Sequence, residues 1–149
     1  MRTVGEIFSA VDAIAPFASA MDFDNSGLLV GSAGQPVDCA LLALDITPAV
    51  IEEAVATGAQ LIISHHPVIF HPLRSLNADS PVYRLAQNGL AAICAHTNLD
   101  LAPVHGVNTA LAAALGFEKF STIREDPEQL LLVCELPEPE RGTEFLQKV

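Results

Sequence analysis

Three apolar runs of strand length follow one another along the chain, and segments of helical character separate them. The runs are nearly continuous in Val, Ile, Leu and Ala, which is typical of strands covered on both faces. Strands that alternate with helices pair in parallel through right-handed crossovers. The pattern therefore predicts an α/β fold, with a mostly parallel sheet and helices on both of its faces in three layers. The predicted strands are 39–44, 61–64 and 90–95, and the predicted helices are 48–57, 81–87 and 107–115.

The N-terminal part of the chain has the pattern of a helix followed by a loop and a short strand. Thr3 and Glu6 have the spacing of a capping box, and apolar residues at helical spacing continue from there to Pro16. The segment 21–27 is rich in turn-forming residues, and the apolar run 28–31 ends in glycine. We therefore predict an amphipathic helix that packs on the sheet and a strand outside the regular strand–helix alternation.

The pattern weakens after residue 116. One further strand is predicted over 129–136, and the segment 144–149 is typical of the first turns of a helix. We interpret 1–149 as a single α/β domain, with 130–149 as the beginning of a second half that does not continue.

Composition narrows the class of partner. The chain has 149 residues, of which 50% are hydrophobic, so it can bury a sizeable core. Its 18 acidic and 7 basic residues give a net charge of −11, which argues against long nucleic acid as a partner. A bound cation can invert the local electrostatic field, so the net charge does not exclude a small phosphorylated substrate.

Cysteine usage and the apolar pattern bear on the cellular setting. Cys39, Cys94 and Cys134 are odd in number and lack Cys-x-x-Cys spacing, which favours buried thiols over a disulfide framework. The N-terminus does not resemble a signal peptide, and no apolar run reaches membrane-spanning length. These features predict a cytoplasmic protein without a membrane partner.

Side chains that can bind metal follow all three predicted parallel strands. Asp45 follows the first strand, His65 and His66 follow the second, and His96 and Asp100 follow the third. The carboxyl ends of parallel strands meet at one edge of a sheet, where ligands usually bind. Imidazole and carboxylate together suit zinc, iron, manganese or nickel. We therefore predict a divalent-metal site with His65, His66 and Asp100 as ligands.

The other polar residues near this edge have more than one interpretation. His96 fits a ligand, a residue that orients a ligand, or a proton carrier. Asp45 fits a contribution to the cap of the following helix, the orientation of a ligand, or proton transfer. We take His96 and Asp45 as the candidate catalytic residues, and His71 and His105 as surface residues held in reserve as ligands.

Four motifs follow one another along the chain: Phe23–Gly31 (FDNSGLLVG), Ala43–Pro48 (ALDITP), Ile62–Pro67 (IISHHP) and Ala95–Asp100 (AHTNLD). Together they resemble the Nif-three-like dinuclear metal-centre family, the GTP cyclohydrolase type 2 homologs. The resemblance extends over nearly the whole chain and matches the N-terminal half of the family.

The resemblance implies up to two divalent metals per complete site, at strand ends, in a toroidal homo-oligomer. By motif, His65 and His66 each bind one metal, and Asp100 binds the metal shared with one of them. A histidine and a glutamate four residues apart in a C-terminal segment complete the family's site. This chain has no histidine after His105, so we expect it to end before the rest of that site.

Three functions are consistent with these observations. The first is a metal-dependent hydrolase-type protein that acts on a small molecule, with GTP suggested by the family label. The second is a non-catalytic metal-binding or interaction module with an incomplete dinuclear site. The third is an α/β nucleotide binder without metal, for which removal of metal by a chelator changes nothing.

Overall fold

The computed structural model describes residues 1–117, 120–126 and 129–134. The chain divides into two compact units, Met1–Ala102 and Pro103–Val149. In chain order, the first unit contains β1 (Arg2–Thr3), α1 (Val4–Ile14), a 3₁₀ turn (Phe17–Ser19), β2 (Gly27–Val30), β3 (Pro36–Val37), β4 (Ala40–Ala43), α2 (Pro48–Thr57), β5 (Leu61–Ser64), α3 (Pro81–Gln87), β6 (Ala91–Cys94) and α4 (Thr97–Asp100).

The central sheet of the first unit has four strands in the order β2-β6-β5-β4. β4, β5 and β6 are parallel, and β2 is antiparallel to β6, so the predicted mostly parallel α/β sheet is confirmed. Ala43, Ser64 and Cys94 are aligned in register and are the last residues of the three parallel strands. The segments that follow them therefore begin at one edge of the sheet.

Two apolar clusters form the core of this unit. On one face of the sheet, Ile51 of α2 and Leu85 of α3 belong to the same buried cluster as Ile62 and Ala92 of the strands. On the other face, Val4 of α1 is buried in a cluster with strand residues that include Ile93. Burial of one such side chain contributes about 1.5–3 kcal/mol, so helices on both faces stabilise the sheet.

Coverage of the sheet is incomplete at its edge. Leu42 of the edge strand β4 is 74% exposed, whereas Leu61 and Ile62 of the neighbouring β5 are fully buried. The prediction of strands covered on both faces is therefore confirmed for β5 and β6 and is wrong for β4. The cluster that contains α1 lies over β2, β5 and β6, which leaves one face of the edge strand outside it.

The helix ends are set by the residues that the sequence indicates. Thr3 and Glu6 form the predicted capping box at α1, where the Thr3 side chain accepts from the Glu6 N–H at 3.2 Å. Thr47 caps α2 ahead of Pro48, and Gly58 follows the helix in the left-handed region at φ 70°. The bounds of α2, β5 and α3 match the prediction residue for residue.

The sequence pattern did not predict the shortest elements of this unit. β1 and β3 are two residues each and form an antiparallel pair, while α4 is a single turn of four residues. Hydrophobic periodicity needs more than one turn or two strand repeats to become visible, so these elements are defined by tertiary contacts.

The second unit contains α5 (Val107–Ala114), β7 (Phe120–Asp126) and β8 (Gln129–Cys134). β7 and β8 form an antiparallel pair in which Phe120 lies opposite Cys134. The strand predicted over 129–136 is confirmed as far as residue 134. Residues 135 and 136 and the helical turn predicted over 144–149 lie outside the described residues.

Gly31 is the glycine at which a side chain should be most harmful. It has φ 97°, and a Cβ there would lie 2.7 Å from the Ala91 Cβ and 2.9 Å from the Ala91 Cα. Ala91 lies in the buried strand β6, so it cannot move away from such a Cβ unless the strand shifts within the sheet. We expect Gly31→Ala to lower the free energy of unfolding by about 2–3 kcal/mol in urea denaturation.

Gly34→Ala is the matched control, because Gly34 lies in the same loop between β2 and β3, has no positive φ, and has no atom within 4 Å of the place that a Cβ would occupy. It should change the stability by less than about 0.5 kcal/mol. Equal stability of the two variants would contradict the close approach at Gly31.

Candidate metal centre

The site lies at the carboxyl edge of the three parallel strands. Backbone pairing extends past the strand ends, because the His65 N–H donates to the Ala43 carbonyl at 3.2 Å and the His66 N–H donates to the Leu44 carbonyl at 2.9 Å. β5 has ended at Ser64, whose hydroxyl donates to the His66 carbonyl at 2.8 Å. This turn allows two consecutive histidines to reach one cluster, which a continuing strand would prevent.

Three imidazoles converge at this edge. The ring centroids of His65 and His66 are 5.2 Å apart, those of His65 and His96 are 5.1 Å apart, and those of His66 and His96 are 5.7 Å apart. One ring nitrogen of each histidine lies within 4.8 Å of one ring nitrogen of the other two. The Asp100 carboxylate reaches the same place, with Oδ1 at 3.6 Å from His65 Nε2.

Each imidazole is fixed through its Nδ1 atom. The Nδ1 of His65 is 3.0 Å from the carbonyl oxygen of Ala95, which can only accept a hydrogen bond. The Nδ1 of His66 is 2.7 Å from Asp45 Oδ1, and the Nδ1 of His96 is 2.9 Å from Asp24 Oδ1. A neutral ring that donates from Nδ1 has its lone pair on Nε2. All three rings thus present an Nε2 that can bind a metal, which is the arrangement typical of metal-ligating histidines.

Asp24 is the buried acceptor behind this cluster. Its side chain is 0% exposed and accepts from Ser26 Oγ at 2.8 Å, from the Thr97 N–H at 3.1 Å and from the Thr97 hydroxyl, in addition to His96. Burial alone would raise the pKa of Asp24, but the hydrogen bonds from Thr97, His96 and Ser26 outweigh it and hold that pKa well below the ordinary value. Asp24 is therefore ionised and fixes the position of His96.

Asp24 was not among the site residues predicted from the sequence. Its local signals are the turn-rich run Asp24–Gly27 and its place in the motif Phe23–Gly31, and neither indicates which residue it contacts. The His96 that it contacts is 72 positions away along the chain. Such a contact has no periodic signature, so only the fold brings the pair together.

Asp45 contacts a histidine and does not cap the next helix. Its carboxylate accepts a hydrogen bond from His66. The cap of α2 is Thr47, whose side chain accepts a hydrogen bond from the Val50 N–H at 3.3 Å. Among the three roles considered for Asp45, its hydrogen bond with His66 favours orientation of that histidine. His96 likewise has a carboxylate partner, and a catalytic role for either residue stays a prediction.

The two reserve histidines are not members of this cluster. His71 is exposed and packs its ring against Phe70, with centroids 4.9 Å apart. His105 is exposed in the second unit and has φ 64°. Neither is among the three histidines that come within 4.8 Å of one another in the described part of the chain.

Cys94 lies beneath the cluster as a protonated thiol. Its Sγ donates to the His65 carbonyl at 3.0 Å, and the side chain is fully buried. Burial, reinforced by the charge of Asp24, raises the pKa of Cys94 to about 12, although a hydrogen bond with Ser64 opposes the shift. The group is therefore a packed thiol at neutral pH and does not offer a thiolate.

Because Cys94 is buried and Cys39 is exposed, we expect the two thiols to differ in their rate of alkylation. In the folded protein at pH 8, iodoacetamide should modify the exposed Cys39 and leave Cys94 intact. Peptide mapping by mass spectrometry reads each thiol separately, and denatured protein serves as the control in which both react. Modification of Cys94 at the rate of Cys39 would contradict its buried, protonated state.

Comparison with known proteins places the chain in a family. The Duf34/NIF3 (NGG1p interacting factor 3) family profile matches residues 2–149. A Staphylococcus aureus protein named GTP cyclohydrolase 1 type 2 homolog is 39% identical over 128 residues, which cover 84% of this chain and 35% of that protein. The chain thus spans about a third of the length of this relative.

Solved structures agree with the sequence match. The chain superposes on a Bacillus cereus protein related to NIF3 with a TM-score of 0.77 and 38% identity, covering 81% of this chain and 34% of that one. Reduced HcgD from Methanocaldococcus jannaschii gives a TM-score of 0.72 at 30% identity, with 80% of this chain and 49% of that one covered. Among the described residues, no helix has the length and apolar character needed to cross a membrane. The family profile and these relatives together show that the chain belongs to the Duf34/NIF3 family.

Proposed function

We propose that this chain is a metal-binding protein of hydrolase type, in which His65, His66 and Asp100 hold a divalent ion. One observation supports the proposal above the others: all three imidazoles are anchored through Nδ1 and leave Nε2 available. His65, His66 and His96 have converging rings, and the Asp100 carboxylate lies beside His65 Nε2. The mixed imidazole and carboxylate donor set fits zinc, iron, manganese or nickel.

The surrounding residues have separate tasks in this proposal. A bound divalent ion would supply a Lewis acid and a water of lowered pKa. Asp45 orients His66 through the 2.7 Å hydrogen bond, and Asp24 orients His96 through the 2.9 Å hydrogen bond. In this proposal His96, whose side chain is 21% exposed, carries a proton between substrate and solvent.

The proposed substrate is a small molecule such as a nucleotide. The relatives' name, GTP cyclohydrolase 1 type 2 homolog, is the basis for GTP as the first candidate. A net charge of −11 opposes the approach of phosphate groups, so a cation at the site would be needed to offset it. We extend the family's dinuclear centre and homo-oligomer to this chain as part of the same proposal, together with a cytoplasmic location.

A second candidate function is a non-catalytic metal-binding or interaction module. It requires only the convergence of His65, His66 and His96, with no substrate bound at the cluster. Turnover separates the two functions. An enzyme loses hydrolysis in His65→Ala and in Asp100→Ala, whereas a module keeps its assembly and its partner in both variants.

The experiment that tests the proposal is metal stoichiometry per chain on tag-free protein, by elemental analysis, with the native mass recorded on the same sample. One or two tightly bound divalent ions per chain are expected, and removal by a chelator should be reversible. Two ions would support a dinuclear centre completed by other residues of the assembly. Protein that binds no divalent ion even after incubation with zinc, iron, manganese and nickel would overturn the proposal and favour a nucleotide binder without metal.

A further inference from the structure

Two phenylalanines stand exposed on the loops that border the metal centre. Phe23 is 63% exposed and Phe70 is 43% exposed. The other two phenylalanines of this unit behave differently: Phe8 and Phe17 stack on each other with centroids 4.3 Å apart and pack against a core cluster. Other large apolar side chains of the chain are also exposed, so the feature that singles out Phe23 and Phe70 is their place beside residues of the metal centre.

Both phenylalanines are attached to the site through adjacent residues. Phe23 directly precedes Asp24, which binds His96. The residue before Phe70 is Ile69, whose carbonyl accepts a hydrogen bond from the side-chain amide of Asn25. This hydrogen bond joins the loop that follows His66 to the loop that supports His96, so the backbone at each phenylalanine is held next to the histidine cluster.

The chemistry of the rings indicates what they would bind. A phenylalanine face can stack on any nucleobase-like planar ring, because every such ring has a π-face. The acidic chain repels anionic groups, so a substrate gains from a neutral planar part that binds apart from the metal. His71 packs against Phe70 in a T-shaped contact and restrains that ring.

We propose that Phe23 and Phe70 form a binding site for the planar heteroaromatic ring of the substrate, beside the metal centre. This inference rests on the proposed function, because it assigns the ring to the substrate of that centre. It specifies the substrate class as a molecule with a purine-like ring at one end and a group that reaches His65 and His66 at the other.

The test uses 2-aminopurine riboside 5′-monophosphate, whose fluorescence is quenched when its base stacks. The chain has no tryptophan and one tyrosine, so protein emission interferes little. Titrations are made with the full chain, both metal-free and loaded with zinc. Wild-type protein should quench the probe, and Phe70→Ala or Phe23→Ala should raise the Kd about 10-fold, within the range of base–aromatic stacking. Phe70→Tyr should restore binding.

Leu76→Ala is the matched control, since Leu76 is equally apolar and 52% exposed later in the same loop. It should bind the probe as the wild type does. Ribose 5-phosphate, which lacks the base, should not displace the probe from metal-free protein, where its phosphate has no metal to bind. Displacement by ribose 5-phosphate from metal-free protein, or unchanged binding in both alanine variants, would overturn the inference.

Two further results separate this inference from the proposed function. A protein that binds zinc but does not quench the probe would overturn the ring site and leave the metal centre intact. Quenching that depends on Phe70 in a protein that binds no metal would support the ring site and remove the metal centre. Self-association that Phe70→Ala abolishes, without any quenching, would assign the rings to contact with a second copy and overturn the inference.

Discussion

His66→Ala should weaken zinc binding by at least about 100-fold while the protein remains folded. Loss of a residue that only orients a ligand costs about 10–100-fold in metal affinity, and loss of a ligand should exceed that range. The His66 side chain is 46% exposed, and the apolar clusters that stabilise the sheet do not include it. We expect the free energy of unfolding of the metal-free variant to stay within about 0.5 kcal/mol of the wild-type value.

Competition with a zinc-sensitive dye measures the affinity for zinc. Two further variants serve as controls, one with no expected loss and one with an intermediate loss. His71→Ala removes an exposed histidine outside the cluster and should bind zinc as the wild type does. Asp45→Asn keeps a side chain of similar size at the 2.7 Å contact but weakens it, so an intermediate loss of about 10-fold is expected. If His66→Ala and His71→Ala bind zinc equally, His66 is not a ligand.

Asp24→Ala should be the most destabilising single change at the site. The buried carboxylate accepts hydrogen bonds from Ser26, Thr97 and His96, and its removal leaves these donors without their acceptor. Removal of one side of a buried charged network costs about 3 kcal/mol. Urea denaturation of metal-free protein measures the loss. Asp22→Ala, two residues earlier and exposed, should change the stability by less than about 0.5 kcal/mol.

The contribution of Asp24 should also depend on pH in a defined direction. Hydrogen bonds in the folded protein lower the pKa of Asp24 from its ordinary value of 3.8, so folding favours the ionised form. The stabilisation is therefore complete well above pH 3.8 and is lost as the pH falls below that value towards the lower folded pKa. The gap in stability between wild type and Asp24→Ala should be present at neutral pH and should shrink below about pH 4. A gap that widens as the pH falls below about 4 would contradict this assignment.

The sequence predicts those elements that depend on residues close together along the chain, and it fails for contacts between distant residues. The helix Pro48–Thr57 and the strand Leu61–Ser64 were predicted to the residue, because a proline, a glycine and an unbroken apolar run fix them locally. The pair β1 and β3 was not predicted, because two residues are too few to form a pattern and their pairing joins segments 33 or more positions apart. Exposure of Leu42 was also not predictable, since an apolar edge strand has the same local sequence as a central one.

By itself, the sequence determined the alternation of strands and helices and the placement of His65, His66, His96 and Asp100 after strand ends, because both depend on residues close together along the chain. The tertiary structure decided which ring nitrogen each histidine presents, through Asp45, the Ala95 carbonyl and Asp24. These hydrogen bonds join residues 21, 30 and 72 positions apart, and hydrophobic periodicity carries no information about such pairs. The fold selects them because a buried polar group must find a partner wherever packing places it.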